Sequence, residues 1–276
     1  MGVPGIEPRT AGLSESRPRA LFAALSAMFG WAQRQRLIDL NPCNGLHRPA
    51  TPKARERVLS VDEIRWFWQA CDAVDSPQMD NAPRPFGPLL QLLLLTGARL
   101  NEVAGMRRDE LSEDGSTWNL SGTRTKNKRP HLVPLAPLAR ELISNVRSKP
   151  SPTGYVFSTT SHSPVSGWSR VKDRLDQAML AIARQQRGSD VMVKPWRLHD
   201  LRRTAITGMA ELSIRPDVIE LCVNHVSGSR GGIAGVYNKS ELLPERRAAL
   251  ERWAAHVRGL VSDKPQKVIA LPKRVK

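Results

Sequence analysis

Cysteine is scarce in this chain, metal-binding pairs are absent, and no long apolar run occurs. The 276 residues include three cysteines, Cys43, Cys71 and Cys222, an odd and widely spaced set that predicts no disulfide framework. Neither a CxxC nor an HxxxH pair occurs, so we expect no metal site. No apolar stretch reaches the roughly 20 residues that span a bilayer, and the N-terminus lacks the apolar core of a signal peptide. These absences favour a cytoplasmic protein without a membrane partner.

Acidic residues are also few. There are 26 of them against 42 lysines and arginines, which gives a formal net charge of +16 and a pI near 10.7. Such an excess points to a polyanionic partner, because each neutralised phosphate releases condensed counterions. Nucleic acid is the first candidate, although charge alone leaves open a protein that is merely basic or is associated with the ribosome.

Composition divides the chain into four parts. Residues 1–50 hold one predicted helix, over 19–37, and are too few for a core of their own. The Pro-rich stretch before residue 58 predicts a linker at 51–57. Residues 58–262 have regular periodicity and form the main predicted domain, and residues 263–276 are a basic tail that we expect to be disordered.

The main domain has the pattern of a mainly α fold with a small antiparallel β-sheet. Ser60 and Glu63 form a predicted capping box, so a helix is expected from Val61. Residues 85–106 predict a buried helix, a break at Thr96-Gly97 and a second short helix, and residues 117–135 predict a hairpin with a basic tip. Further helices are predicted at 137–147, 166–185, 198–211, 216–223 and 244–260.

Only two tyrosines are present, and their settings differ. Tyr155 lies in GYVF, which predicts a buried strand. Tyr237 follows the Gly- and Ser-rich segment HVSGSRGGIAG, which predicts an exposed and mobile position. A tyrosine in such a position can reach a substrate, although an ordinary loop tyrosine has the same pattern.

Several basic residues could surround a phosphate. His199 and Arg202 are spaced i, i+3 on one predicted helix face, and the arginine fork matches phosphate oxygens. Arg99 follows a glycine in an apolar context, so it needs a buried partner, which is either a carboxylate or a phosphate. Glu102 is one turn further on. Lys126 at the hairpin tip and His225 after a predicted helix complete the set, and each has a structural interpretation when taken alone.

In residue types and order, the series Arg99, Lys126, His199, Arg202, His225 and Tyr237 resembles the tyrosine recombinase (phage integrase) family, in the type found in prophages and genomic islands. The stretches LLLTGARLNEVAGMR, WRLHDLRRTAITGMA and NHVSGSRGGIAGVYN carry the resemblance. It implies a tyrosine recombinase catalytic-domain fold at 58–262, preceded at 1–50 by the remnant of a core-binding helical domain.

The resemblance also implies a reaction, in which Tyr237 attacks a DNA phosphate and forms a 3′-phosphotyrosyl link. Arg99, Arg202, His199 and His225 would hold the phosphate, Lys126 would protonate the leaving 5′-oxygen, and Glu102 would support Arg99. The implied partner is double-stranded DNA, on which a homotetramer assembles in the bacterial cytoplasm at the nucleoid. No cofactor and no small-molecule substrate are implied. Four further basic residues are predicted to contact DNA: Arg124, Lys128, Arg129 and Arg203.

This sequence departs from many relatives at two points. Asn224 precedes His225 where glycine is common, and Tyr237 follows His225 at a longer spacing of twelve positions. Two other functions stay open: a type IB topoisomerase, which reseals the same strand, and a DNA-binding integrase remnant without catalysis. The apolar stripe Leu250, Trp253 and Val257 could dock on a neighbouring subunit, which favours a recombinase, or pack on its own domain.

Overall fold

The computed structural model describes residues 16–51, 56–74, 85–146, 154–225 and 242–262. The chain separates into two compact units, unit 1 (Met1–Glu56) and unit 2 (Arg57–Lys276). Residues 52–55 of the predicted linker and the predicted tail 263–276 lie outside the described residues. Within the described ranges, none of the helices combines the length and the apolar character that crossing a membrane requires.

Unit 1 is built on helix α1, Ser16–Arg34. The sequence predicts a helix as far as residue 37, but the chain leaves the helix earlier, because Arg36 adopts a left-handed conformation with φ 58°. The Leu37 amide then donates to the Ala32 carbonyl at 3.0 Å, which caps the helix end. The side-chain Nδ2 of Asn41 donates to the Ser26 carbonyl at 3.1 Å and holds the following turn against α1.

In its described residues, unit 2 is mainly helical with one two-stranded antiparallel sheet, which confirms the predicted fold class. In chain order its elements are α2 Val61–Val74, α3 Phe86–Thr96, α4 Leu100–Ala104, the 3-10 helix Arg108–Glu110, β1 Thr117–Leu120, β2 His131–Pro134, α5 Pro137–Ser144, α6 Trp168–Arg187, α7 Leu198–Glu211, α8 Pro216–Cys222 and α9 Leu243–Val261.

Helix α3 lies at the centre of the core. Its sequence FGPLLQLLLLT is apolar on every side, and its leucines are buried all round, as expected of a helix that is enclosed by other elements. It contacts α2, α5, α7 and α9. The predicted break is also present, since α3 ends at Thr96 and Gly97 closes it in the left-handed conformation.

The hairpin β1–β2 is present as predicted, with Thr117 opposite Pro134 and Leu120 opposite His131. The predicted strand at Tyr155 is wrong. Among the described residues Tyr155 belongs to an isolated β-bridge with Arg107 and to no strand, although the next amide, that of Val156, donates to the Met106 carbonyl at 2.9 Å.

The apolar stripe of α9 packs on its own domain. Leu250, Trp253 and Val257 are buried within unit 2, so this stripe is not a free docking face. The Trp253 Nε1–H donates to the Leu94 carbonyl at 2.9 Å, which ties α9 to the central helix. Gly208 of α7 makes room for the indole, since a Cβ there would lie 2.3 Å from it.

Candidate active site

Arg99 is placed by the turn that ends α3. Gly97 takes φ 61°, and the Thr96 hydroxyl accepts from the Ala98 amide at 3.2 Å, so the chain turns sharply into α4. Arg99 stands at the N-cap of α4. The Glu102 carboxylate accepts from the Arg99 backbone amide at 3.0 Å and from its guanidinium at 2.7 Å. The buried Glu102 therefore fixes both the backbone and the side chain of Arg99.

Arg202, on α7, joins two other segments of the site. Its Nη1 donates to the Gly97 carbonyl and its Nη2 donates to the Val223 carbonyl, both at 2.7 Å. The guanidinium is buried, and burial followed by the nearby charge of Arg99 lowers its pKa to about 10. At neutral pH it stays charged. Because these bonds end two residues before Arg99 and two before His225, Arg202 sets the position of both.

His199 begins the same helix, one turn before Arg202. The buried Asp200 carboxylate accepts from the Arg197 amide at 2.8 Å and so caps the start of α7. Partial burial lowers the pKa of His199 below its usual value, and the charges of Arg203, Arg202 and Arg99 lower it further. The imidazole is therefore neutral at pH 7 and can accept a proton or donate a hydrogen bond.

Asn224 and His225 follow α8 directly. Asn224 has φ 51°, a left-handed conformation that asparagine tolerates better than other residues with a side chain. Its carbonyl accepts from the Arg99 guanidinium at 3.4 Å. The His225 amide donates to the Glu220 carbonyl at 2.9 Å, and its side chain is exposed. The departure from glycine at position 224 thus keeps the backbone turn that precedes His225.

Lys126 lies on the loop between β1 and β2, residues 121–130, and its side chain is exposed. Asn127, the residue after Lys126, links this loop to the rest of the site, because its side-chain Nδ2 donates to Asn224 Oδ1 at 2.8 Å. The structure therefore brings together the predicted residues Arg99, Glu102, His199 and Arg202, the segment that carries His225, and the loop that carries Lys126.

Tyr237, the predicted nucleophile, lies between residues 225 and 242 and therefore outside the described residues.

The four residues predicted to contact DNA divide into two pairs. Arg124 forms an ion pair with Glu110, and Arg203 forms one with the buried Asp200 at 2.5 Å, so both guanidinium groups are held by protein carboxylates. Lys128 and Arg129 are exposed beside Lys126, and their side chains form no ion pair among the described residues. The second pair is better placed to meet a phosphate.

A buried polar group lies behind the site, and none of the sequence predictions includes it. His131 of β2 is buried, and its Nε2 lies 3.1 Å from the Cys222 carbonyl, while Arg246 of α9 lies 3.5 Å from its Nδ1. Burial, followed by the charge of Arg246, lowers the pKa of His131 to about 3, so the ring is neutral. The alternation of β2 turns His131 inward, but no sequence pattern indicates its partners, which come from distant helices.

The model of the phage integrase family matches residues 57–240 of this chain. Two curated relatives come from Escherichia coli (strain K12). Prophage integrase IntZ is 26% identical over 242 residues, covering 86% of this chain and 54% of the relative. Prophage integrase IntA is 29% identical over 257 residues, covering 91% of this chain and 57% of the relative. The chain thus spans about half the length of these relatives.

Solved structures share the fold. A lambda integrase dimer bound to a COC′ core site gives a TM-score of 0.56 at 17% identity, with 82% of this chain and 59% of that chain covered. A shorter lambda integrase, residues 75–356, gives 0.55 at 17% identity over 77% of this chain and 73% of that chain. At this identity the likeness shows a tyrosine recombinase fold. Because the family model covers well over half of the 276 residues, this chain belongs to the phage integrase family.

Proposed function

We propose that this chain cleaves and rejoins DNA strands at a specific site, as a metal- and ATP-independent strand transferase that integrates or excises a mobile element. The observation that carries the proposal is the convergence of Arg99, His199 and Arg202 on one place, with the turn before His225 bonded to both arginines. The two fixed guanidinium groups stabilise the charge that gathers on a transferred phosphoryl group, because they need no reorganisation as the reaction proceeds, and the neutral His199 beside them can donate a hydrogen bond or accept a proton.

The proposed step is a transesterification. The Tyr237 hydroxyl oxygen forms a bond to the scissile phosphorus, and the bond from phosphorus to the 5′-oxygen breaks. The phenolic proton passes to a base, for which neutral His199 is suited, and the Lys126 ammonium gives a proton to the departing oxygen. The products are a 3′-phosphotyrosyl strand and a free 5′-hydroxyl. Attack of another strand's 5′-hydroxyl on the same link reverses the step and completes strand exchange.

Duplex DNA is the proposed substrate, and a tetramer formed on DNA is the proposed assembly. The net charge of +16 favours a polyanion. Among the structural neighbours, lambda integrase has been solved as a dimer bound to a core site and as a tetramer bound to a Holliday junction. We extend these states to this chain, together with a location at the bacterial nucleoid, where such a substrate resides.

Capture of a covalent adduct tests the proposal. The full chain is incubated with a pool of nicked duplexes of randomised sequence, in which loss of the short cleaved strand traps the phosphotyrosyl link. Adducts are separated on denaturing gels and sequenced to recover the preferred site. We expect an adduct with the unsubstituted chain and with Tyr155→Phe, and none with Tyr237→Phe. An adduct that survives Tyr237→Phe, or the absence of any adduct from the unsubstituted chain, would overturn the proposal.

A second arm separates the proposed function from its alternatives. The trapped complex is given a second duplex that ends in a free 5′-hydroxyl, and the transfer of the bound strand is measured. We expect the strand to join the new partner. A complex that reseals only its original strand is a topoisomerase, and a chain that shifts DNA on native gels without any adduct is a binding protein. Arg99→Ala is expected to slow adduct formation by roughly 10²- to 10³-fold, the typical cost of one fixed cation or donor.

A further inference from the structure

The loop that carries Lys126 is braced from within. Thr125 is buried, and its hydroxyl lies 2.8 Å from the Arg129 carbonyl and 3.2 Å from the Gly122 carbonyl. The Asn127 Oδ1 accepts from the Arg129 amide at 3.2 Å, which closes an Asx turn immediately after the lysine. Lys126 itself is exposed, so the loop presents the lysine from a closed backbone.

On the N-terminal side of the lysine, Arg124 fastens the loop to the elements around α4. Its Nη2 donates to the Glu102 carbonyl at 2.8 Å, and its Nη1 pairs with Glu110. The same Glu110 carboxylate accepts from Trp118 Nε1 at 3.0 Å. Gly105 leaves space for this guanidinium, since a Cβ there would lie 2.7 Å from Nη2. The Arg124 guanidinium is thus held by groups of the protein, one of which belongs to Glu102, the residue that positions Arg99.

On the C-terminal side, an amide pair fastens the loop to the His225 segment. Asn127 Nδ2 donates to Asn224 Oδ1 at 2.8 Å, and Asn224 Nδ2 lies 3.3 Å from Asn127 Oδ1. These two contacts, which we call the Asn127–Asn224 amide pair, join residues 97 positions apart. Asn127 Nδ2 also lies 3.3 Å from the Asn224 carbonyl, the group that accepts from Arg99.

The backbone at position 224 does not by itself require asparagine. A left-handed conformation of φ 51° suits glycine better than any other residue, so glycine would form the same turn with less strain. What asparagine adds is its side-chain amide, and in the described residues that amide is directed at the loop of Lys126. The departure from glycine therefore has a specific structural consequence.

We infer that Asn127 and Asn224 are positioning residues for Lys126: their amide pair holds the lysine loop at the site before DNA arrives. The inference rests on the proposed function, because it takes Lys126 as the proton donor to the leaving oxygen. Holding the loop in place removes the entropy of ordering it during the reaction, so the pair contributes to the rate of strand cleavage while neither asparagine touches the reacting atoms.

Hydrogen exchange tests the attachment without any DNA. In the full chain, Asn224→Gly deletes the amide while keeping the backbone turn. We expect the amides of Lys128 and Arg129 to exchange about five-fold faster, which corresponds to the loss of one net hydrogen bond. Asn119→Ala, an exposed position on β1 of the same hairpin, serves as the matched control and should leave the loop unchanged. Equal exchange in Asn224→Gly and the unsubstituted chain overturns the inference.

Cleavage of a modified strand tests the link to proton transfer. The duplex sequence recovered by adduct capture is made with sulfur in place of the 5′-bridging oxygen. A thiolate leaves without being protonated, because thiol pKa values lie near 8.5. With the oxygen substrate, Lys126→Ala should lower the rate of strand cleavage by roughly 10²- to 10⁴-fold, and with the sulfur substrate the rate should return to that of the unsubstituted chain. Asn127→Ala and Asn224→Gly should each lower the cleavage rate about ten-fold with the oxygen substrate and only slightly with the sulfur substrate. Arg99→Ala should cleave both substrates slowly.

The proposed function and the positioning role of the Asn127–Asn224 amide pair can fail separately. If Lys126→Ala is rescued by sulfur but the asparagine variants are equally slow with both substrates, the pair supports the fold in general and the inference is wrong while the function stands. If the double variant lowers the cleavage rate by the product of the two single fold-reductions, the residues act independently and not as a pair. If the unsubstituted chain forms no adduct, the proposed function fails, and the exchange measurement alone decides the attachment.

Discussion

His131 shows how a single buried side chain can shape the pH dependence of folding. Its Nε2–H donates to the Cys222 carbonyl, which leaves Nδ1 as an acceptor that faces the Arg246 guanidinium. Burial disfavours the charged imidazole most strongly; in addition, protonation would place a second N–H on Nδ1 against the charge of Arg246, and Arg202 and Arg99 add to the repulsion. The native state therefore holds this imidazole neutral, with a pKa of about 3, whereas the unfolded chain protonates it near the ordinary histidine pKa of 6.5.

We predict that this histidine lowers stability as the pH falls. Below about pH 6.5 the unfolded chain takes up a proton that the folded chain cannot, so the free energy of unfolding drops by about 1.4 kcal/mol per pH unit. Urea unfolding of the unsubstituted chain and of His131→Gln measures this loss. The stability of the unsubstituted chain relative to the variant should fall by about 2 kcal/mol between pH 7 and pH 5. The same comparison with His162→Gln, at an exposed position, should show no such change; parallel curves for His131→Gln would contradict the assignment.

Helix α9 packs closely against α7 where Trp253 meets Gly208. A Cβ at Gly208 would lie 2.3 Å from Trp253 Cζ3 and 2.6 Å from Cη2, and the indole Nε1–H is held by its bond to the Leu94 carbonyl. The ring has little freedom to withdraw, because Trp253 is fully buried. The contact therefore depends on the absence of a side chain at position 208.

Gly208→Ala is predicted to destabilise unit 2 by about 2 kcal/mol, since the overpacking cost exceeds the gain in helix propensity. Trp253→Leu removes the ring that causes the clash, so the double variant should lose less than the sum of the two single losses. Denaturant unfolding of all four proteins measures the coupling. Gly30→Ala, where a Cβ would meet nothing closer than 3.6 Å, should leave unit 2 unchanged. Additive losses would mean that the alanine is accommodated without contact with the indole.

Local patterns in the sequence predict the elements well, because their causes are local. The Ser60–Glu63 capping box is present, with the Ser60 amide donating to Glu63 at 2.9 Å, and α2 begins at Val61 as predicted. The break after Thr96 follows from Gly97. In contrast, α1 ends early at a left-handed Arg36, a conformation that no residue preference indicates.

The arrangement of the candidate site is only partly predictable. Residue types and order indicate Arg99, Glu102, His199 and Arg202, and the structure brings these together. The bonds that set their geometry join distant segments: Arg202 spans 105 residues to Gly97, and Asn127 spans 97 to Asn224. A single sequence carries no signal for such pairs, since each partner alone is an ordinary polar residue. The same reason explains why the sequence predicts a DNA contact for Arg124, although Glu110 and the Glu102 carbonyl hold it within the protein.

The charge of the whole chain is far from neutral, and it determines how DNA binding should respond to salt. With a net charge of +16, most of the affinity should come from the release of counterions from phosphates that Lys and Arg side chains neutralise. Lys128 and Arg129 are exposed beside Lys126, and neither side chain is paired with a carboxylate in the described part of the chain. Arg258, by contrast, pairs with Glu141 at 2.6 Å on the surface formed by α9 and α5.

We predict that affinity for a short duplex falls steeply with salt, by roughly 10³-fold or more between about 50 and 200 mM if six or more phosphates are contacted. Fluorescence anisotropy of a labelled duplex over a salt series gives the slope of log affinity against log salt. Lys128→Ala and Arg129→Ala should each reduce that slope by about 0.9, because each removes one phosphate contact. Arg258→Ala removes the same charge from the chain but should leave the slope unchanged. If all three substitutions reduced it equally, net charge alone would govern binding and the hairpin tip would have no particular place on the DNA.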